Sequence, residues 1–187
     1  MNMRAYCAAI VRQRTTEKFM LKIIPYPSPN FNDRPKDAKI DCVVLHYTDV
    51  ATMEEALQLL TDPAREVSSH YAIDEDGTTY QLVDDEKRAW HAGPSSWEGQ
   101  DNVNHFSIGI ELQNGGYFAG YALTGVWPKF PDAQIDALKK LLDQLMEKHP
   151  ITFNRIIGHE DIAPGRKIDP GPAFPWEKVR KEAQREI

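Results

Sequence analysis

The sequence predicts an α/β fold built on a single mixed β-sheet flanked by helices, and three features carry that expectation. An apolar, β-branched run from Ile40 to Thr48 has the length and composition of a buried strand. Two short runs, Ser69 to Asp74 and Thr78 to Val83, flank Glu75-Asp76-Gly77, which reads as a hairpin with Gly77 available for positive φ. Between Asp132 and Lys148, Ile135, Leu138, Leu141, Leu142, Leu145 and Met146 recur at helical spacing and give one apolar face. Strands and helices interleave along the chain, so a mixed sheet with helices on its faces is the arrangement that buries both.

Taken in order, residues 1–20 form a mixed tail without a clear period. Residues 25–37 hold prolines at 25, 27, 29 and 35, which excludes helix and leaves an extended segment or loop. Thr52-Met53-Glu54-Glu55 is a capping box, so a short helix should run to about Leu60. Trp90 to Asn104 reads as loop, with Gly93, Pro94 and Gly99. Ser107 to Leu112 is a further strand, and Gly115 to Phe130 a loop rich in glycine and aromatic residues. Asp132 is expected to cap the long helix. Phe153 to Gly158 is a last strand leading into His159, and a charged helix starts at Trp176.

The 187 residues suit one domain with a real core, with residues 21–187 forming it. Apolar content of 41% and charged content of 27% are those of a globular protein. A net charge of −6 argues against nucleic acid as a partner, which needs basic surface to replace phosphate counterions. Cys7 and Cys42 make no disulfide framework and lack the CxxC spacing of a zinc or redox pair. No apolar run approaches the ~20 residues that span a bilayer. The apolar stretch Ala5 to Val11 is short and is followed at once by Arg12, Gln13 and Arg14, with no small-residue cleavage site. The expectation is therefore no signal peptide, no membrane anchor, a cytoplasmic protein, and a tail dispensable for folding and catalysis, with a periplasmic location as the alternative. Met20 is an alternative start.

The chemistry concentrates in Gly158-His159-Glu160-Asp161-Ile162-Ala163-Pro164-Gly165-Arg166-Lys167-Ile168-Asp169-Pro170-Gly171-Pro172. A catalytic zinc site takes three protein ligands and leaves a position open. His46, at the end of the first long strand, could join His159 and Asp169 in a His-His-Asp set. Spacing alone does not decide this among six histidines. Taken singly, His46 reads first as a hydrogen-bonded core histidine, with Asp169 as a loop cap and Lys167 as a solvated cation the competing readings of those two. His149 ends the long helix, where its imidazole suits the dipole. His70 and His105 read as structural or groove-lining.

Five ordered segments resemble one family. They are Tyr26-Pro-Ser-Pro-Asn-Phe-Asn-Asp-Arg34, Leu45-His46-Tyr47-Thr48, Ala89-Trp90-His91-Ala92-Gly93, Ser107-Ile-Gly-Ile-Glu111-Leu112, and the His159 to Pro172 loop. Together they are similar to zinc-dependent N-acetylmuramoyl-L-alanine amidases of the AmpD and AmiD type, in the superfamily of the peptidoglycan recognition proteins. The resemblance covers about residues 22–180. It implies an amidase-like mixed sheet, one Zn²⁺ held by His46, His159 and Asp169, Glu111 as catalytic acid/base, and Lys167 as an electrostatic partner. Glu111 taken alone is a strand-end carboxylate facing solvent, but its apolar neighbours argue for burial. The implied reaction is hydrolysis of the amide between the lactyl group of N-acetylmuramic or anhydro-muramic acid and L-alanine, on peptidoglycan fragments, in wall turnover or recycling. Tyr47 stands where the AmpD-like branch has asparagine, and with Val67-Ser-Ser-His-Tyr71 it looks closer to the AmiD-like branch.

Tyr47, Trp90, His91 and Asn104 are assigned to the substrate surface, because aromatic rings stack on sugar faces and apolar stems. Core packing is the competing role for Trp90, Trp127 and Trp176. The rival function is a non-catalytic peptidoglycan-binding module on the same fold. Retention of all five metal and catalytic positions favours the enzyme.

Overall fold

The computed structural model describes residues 21–180. The expectations for residues 1–20 lie outside them. The strands are β1 (Ile23–Pro25), β2 (Phe31–Asp33), β3 (Cys42–Tyr47), β4 (Tyr71–Ile73), β5 (Thr79–Gln81), β6 (Lys87–Ala89), β7 (Ser96–Trp97), β8 (Gln100–Asp101), β9 (Ser107–Leu112) and β10 (Ile156–Gly158). The main helices are α1 (Met53–Thr61), α2 (Asp132–Lys148), the single turn α3 (His159–Ile162) and α4 (Trp176–Arg180). Six strands form one mixed sheet in the order β1-β5-β4-β9-β3-β10. β4 and β5 pair antiparallel as the expected hairpin, with Gly77 at φ +88°. β4, β9, β3 and β10 run parallel, which leaves their C-terminal ends along one edge.

Strand alternation decides what faces what. In β3, Val43, Leu45 and Tyr47 join Ile108, Ile110 and Leu112 of β9 in the core that α2 covers with Ile135, Leu138, Leu141, Leu142 and Leu145. The alternate residues Cys42, Val44 and His46, and Ser107, Gly109 and Glu111, therefore point to the other face. There, a second cluster of Cys42, Val44, Ala92, Val103, Phe106, Ile157 and Ile162 fills one end, and α1 covers another part through Met53, Ala56, Leu57 and Leu60. The polar positions of both central strands are thus collected on the face opposite α2 by period alone.

Thr52 caps α1 as expected, accepting from the Glu55 N–H at 3.2 Å. Four local expectations need correction. Pro131 occupies the N-cap of α2, and Asp132 is its first helical residue, where the carboxylate pairs with Lys178 instead of capping. Phe153–Arg155 is a 3-10 turn, so the last strand is only Ile156–Gly158. The Trp90 to Asn104 segment contains the small β7–β8 hairpin. The glycine-rich stretch after β9 is a π-helical turn over Gly116–Tyr121 followed by a helical turn at Ala122–Thr124.

Candidate metal centre and catalytic cleft

His46 sits one residue from the end of β3 and lies in register with Glu111 of β9. His159 follows β10 directly, where Gly158 pairs with Leu45. The loop after α3 returns Asp169 to the same point, and its carbonyl accepts from the Glu160 N–H at 3.0 Å. The three side chains are buried, with His46 2% exposed and Asp169 7%. His46 Nδ1 lies 3.0 Å from His159 Nδ1 and 2.9 Å from Asp169 Oδ2, and His159 Nδ1 lies 3.0 Å from the same oxygen.

The surrounding partners fix the proton positions. The Ser107 hydroxyl donates to the Val103 carbonyl at 2.6 Å, so toward His91 Nε2, 3.1 Å away, it acts as acceptor. His91 then carries its proton on Nε2 and accepts at Nδ1 from His46 Nε2–H, 3.1 Å away. His46 is left with a bare Nδ1. His159 donates Nε2–H to the Ala92 carbonyl at 3.0 Å and also presents a bare Nδ1. Burial lowers the His46 pKa to about 4, so its imidazole is neutral at physiological pH. Burial works against charge on Asp169, but the two imidazoles outweigh it and hold the carboxyl well below its usual range. Two nitrogen lone pairs and a carboxylate oxygen thus converge within 4.8 Å with no proton among them. Such a set repels itself until a cation is shared, and the donor types are those of a catalytic zinc site. The outer hydrogen bonds orient both rings as metal-bound histidines require.

His91 fits only because residue 109 is glycine. A Cβ there would lie 2.4 Å from His91 Cγ and 2.7 Å from its Nδ1. The loop carrying His91 is held by Asn104, whose Oδ1 accepts from the N–H groups of His91 and Ala92 at 3.2 and 2.8 Å. His91 and Asn104 are only 9% and 5% exposed, yet His91 lines the cleft beside the His-His-Asp group and both residues line the adjoining groove.

Sequence reasoning assigned nothing to two arginines that build this frame. Arg34 donates to the carbonyls of Asp85, Asn104, His105 and Ser107 at 2.9–3.1 Å, and also meets His70. Arg166 donates to the carbonyls of Ala92 and Pro94 at 2.7 Å. Density of carbonyl contacts is a tertiary property, and neither spacing nor composition signals it. His70 is structural as one of its two readings had it, with Nδ1 accepting from the Gly109 N–H at 2.9 Å. His149 caps the end of α2 and turns Nε2 to Asp85, 3.3 Å away.

The three donors open into a cleft of 530 Å³ whose walls include Tyr47, Trp90, Glu111, Tyr117, Phe118, Lys167 and Ile168. Glu111 Oε2 is buried without a hydrogen-bond partner among the described residues. Burial, and next the Asp169 charge, push its carboxyl well above the usual range, while Lys167 opposes them. An unpartnered carboxylate with raised proton affinity, facing a cleft beside a metal donor set, has the character of an acid/base group. Tyr47 packs at the floor, Trp90 is half-buried on a wall, and Lys167 is exposed at the rim.

A model of the N-acetylmuramoyl-L-alanine amidase family matches residues 36–172. The N-acetylmuramoyl-L-alanine amidase AmiD of Escherichia coli is 38% identical over 151 residues, covering 77% of this chain. This chain spans only 53% of AmiD's length. The 1,6-anhydro-N-acetylmuramyl-L-alanine amidase AmpD of Haemophilus influenzae is 36% identical over 169 residues, covering 81% of this chain and 86% of that protein. A structure of E. coli AmiD with the substrate anhydro-N-acetylmuramic acid-L-Ala-D-γ-Glu-L-Lys superposes with a TM-score of 0.69 at 35% identity, over 80% of this chain and 60% of that one. The match runs from before β3 through the loop that returns Asp169, so it spans the elements that carry His46, Glu111, His159 and Asp169. This chain belongs to the N-acetylmuramoyl-L-alanine amidase family.

Proposed function

We propose that His46, His159 and Asp169 hold one Zn²⁺ and that Glu111 and Lys167 carry the proton and charge chemistry of amide hydrolysis. The reaction class comes with the family: cleavage of the amide between the lactyl group of N-acetylmuramic acid and L-alanine. The observation that carries the residue assignment is the convergence of three proton-free donors beside an unpartnered, buried carboxylate oxygen. Bound by these three residues, zinc would supply a lowered pKa for water, to ~7, and Lewis-acid polarisation of the scissile carbonyl.

Glu111 takes the proton of the attacking water and delivers it to the leaving amine of L-alanine, two transfers that suit a carboxyl of raised pKa. Lys167, on the cleft wall, faces charge developing on the carbonyl oxygen. Tyr47 and Trp90 contribute ring surface to the bound fragment. His91 and Asn104 act by orienting His46 and the loop at Ala92.

Soluble muropeptides with ordinary or anhydro sugar are the proposed substrates, as the AmpD and AmiD relatives suggest by name. A cytoplasmic recycling role is part of the proposal, with the periplasm as the alternative. Among the described residues no helix is long and apolar enough to cross a membrane. The test is incubation with a purified muropeptide and product identification by mass. Free muramic sugar and intact stem peptide support the reading; cleavage within the peptide or no cleavage rejects it. Fractionation of the host tests the location, and recovery in the periplasm would make intact wall the substrate.

A further inference from the structure

The turn after β9 puts aromatic side chains on the cleft. Tyr117 and Phe118 line it, and Phe118 is 70% exposed, a large apolar ring held out to solvent. Tyr121 stacks on Trp127 at 4.9 Å and on Tyr117 at 5.9 Å, and Phe118 meets Tyr117 edge-on at 5.2 Å, so the cluster supports the Phe118 ring while most of its surface stays open. One residue ties this turn to the catalytic strand. Asp49 lies three residues beyond His46, and its Oδ1 accepts from the Phe118 N–H at 2.7 Å. The amides of Tyr117 and Ala119 face the same carboxylate. Asp49 has φ +56°, which turns the chain so that the carboxylate meets the turn. Gly116 has φ +53°, and a Cβ there would lie 2.5 Å from the Tyr47 ring and 2.7 Å from Asp49 Oδ1. The turn is therefore seated on Tyr47 and latched by Asp49.

We propose that Asp49 is a positioning residue for substrate recognition, latching the Gly116–Tyr121 turn so that Phe118 forms a wall against the muramic sugar. The inference rests on the proposed reaction and adds a specificity element to it. The cleft has two chemically distinct sides. The side with Phe118, Tyr117, Leu59, Leu60 and Ile168 is apolar and aromatic. Arg166 and Lys167 line both the cleft and the adjoining polar groove of 460 Å³, to which Arg88 and Glu66 belong. A muropeptide divides the same way: its sugar is a ring with apolar faces, and its stem peptide bears carboxylates. Ring stacking matches the sugar to Phe118, and charge matches the peptide to the arginines.

The test compares Asp49→Gly, Asp49→Asn and Phe118→Ala with the full chain. Glycine and asparagine both tolerate positive φ, so these two changes keep the backbone and differ in the acceptor oxygen. Asp49→Gly should raise KM for a muropeptide about 10-fold with kcat within about threefold, the pattern of lost binding common to ground and transition states. Asp49→Asn, which keeps Oδ1, should restore KM to near wild type. Phe118→Ala, at an exposed site that does not threaten folding, should raise KM similarly. It should also weaken inhibition by free N-acetylmuramic acid while leaving inhibition by the stem peptide unchanged. Equal loss of kcat in both Asp49 variants would overturn the proposal, because it would place the carboxylate's charge in the chemistry. So would an unchanged KM in Asp49→Gly, or unchanged sugar inhibition in Phe118→Ala. A wild-type protein that cleaves no muropeptide would instead sink the reaction on which the proposal stands.

Discussion

Gly109→Ala should weaken metal binding without touching a metal donor. The new Cβ would lie 2.4–2.7 Å from three atoms of the His91 ring, against 3.4 Å for an ordinary contact. The ring has to retreat by about 1 Å to relieve the overlap. It is wedged between His46, 3.1 Å from one nitrogen, and Ser107, 3.1 Å from the other, so it cannot retreat and keep both bonds. Losing the bond to His46 Nε2 releases the tautomer that leaves Nδ1 bare. Loss of such an outer partner costs typically ~10–100-fold in metal affinity, or about 1.4–2.7 kcal/mol. Overpacking should cost a further ~1–3 kcal/mol of folding stability. Zinc affinity measured by chelator competition, with thermal unfolding alongside, reads both terms. His91→Ala should lower affinity comparably, and the double variant should be no worse than the poorer single one, since both act on one ring. An affinity in Gly109→Ala within twofold of wild type, or full additivity with His91→Ala, would refute the relay.

His159→Ala and Asp169→Ala should each lose most of the zinc measured in the purified protein; full occupancy in both would mean the donors are misassigned. Glu111→Gln should keep zinc and fold while kcat drops by ~10²–10⁴-fold, and activity within a few-fold of wild type would remove Glu111 from the chemistry. Asp85 gives a pH prediction away from the site. It is buried and accepts from Tyr71 and Lys148 at 2.7 Å, with His149 at 3.3 Å. Burial raises its pKa, but those partners outweigh burial and hold it below 3.8. A folded pKa depressed in this way adds stability above the unfolded value, and that stability is lost as pH falls through the folded one. The melting temperature of wild type should therefore fall below about pH 4, and Asp85→Asn should be less stable at neutral pH with a shallower acid decline. Parallel acid limbs would show that Asp85 contributes no linkage.

Much of this was legible in the chain because the signals are local. The apolar, β-branched run Ile40 to Thr48 and the run Ser107 to Leu112 predict both strands, and the two-residue period of paired strands puts His46 and Glu111 on one face. The proposed metal donors came from the family resemblance of ordered motifs, since residue types and spacing alone left them open. What escaped depends on contacts between distant segments. His91 and Asn104 read as groove residues because aromatic and amide side chains in a glycine loop suit a substrate. They line the groove, and their hydrogen bonds also reach inward, to His46 and the loop backbone, a second role that the sequence did not signal. The Gly116–Tyr121 turn read as loop because glycine suppresses helix propensity. Here Asp49 and Tyr47, from another strand end, hold it. Asp132 lost its capping role because Pro131 already has the extended backbone of an N-cap and Lys178 draws the carboxylate away.

The central claim is that one zinc on His46, His159 and Asp169 runs muropeptide hydrolysis through Glu111. The most direct measurement strips the protein with chelator, restores zinc in steps, and follows metal content and muropeptide cleavage on the same samples. Cleavage should vanish with the metal and return in proportion to occupancy up to about one zinc per chain, yielding muramic sugar and stem peptide. Cleavage that persists in the metal-free protein, or a fully zinc-loaded protein that cleaves nothing, would contradict it.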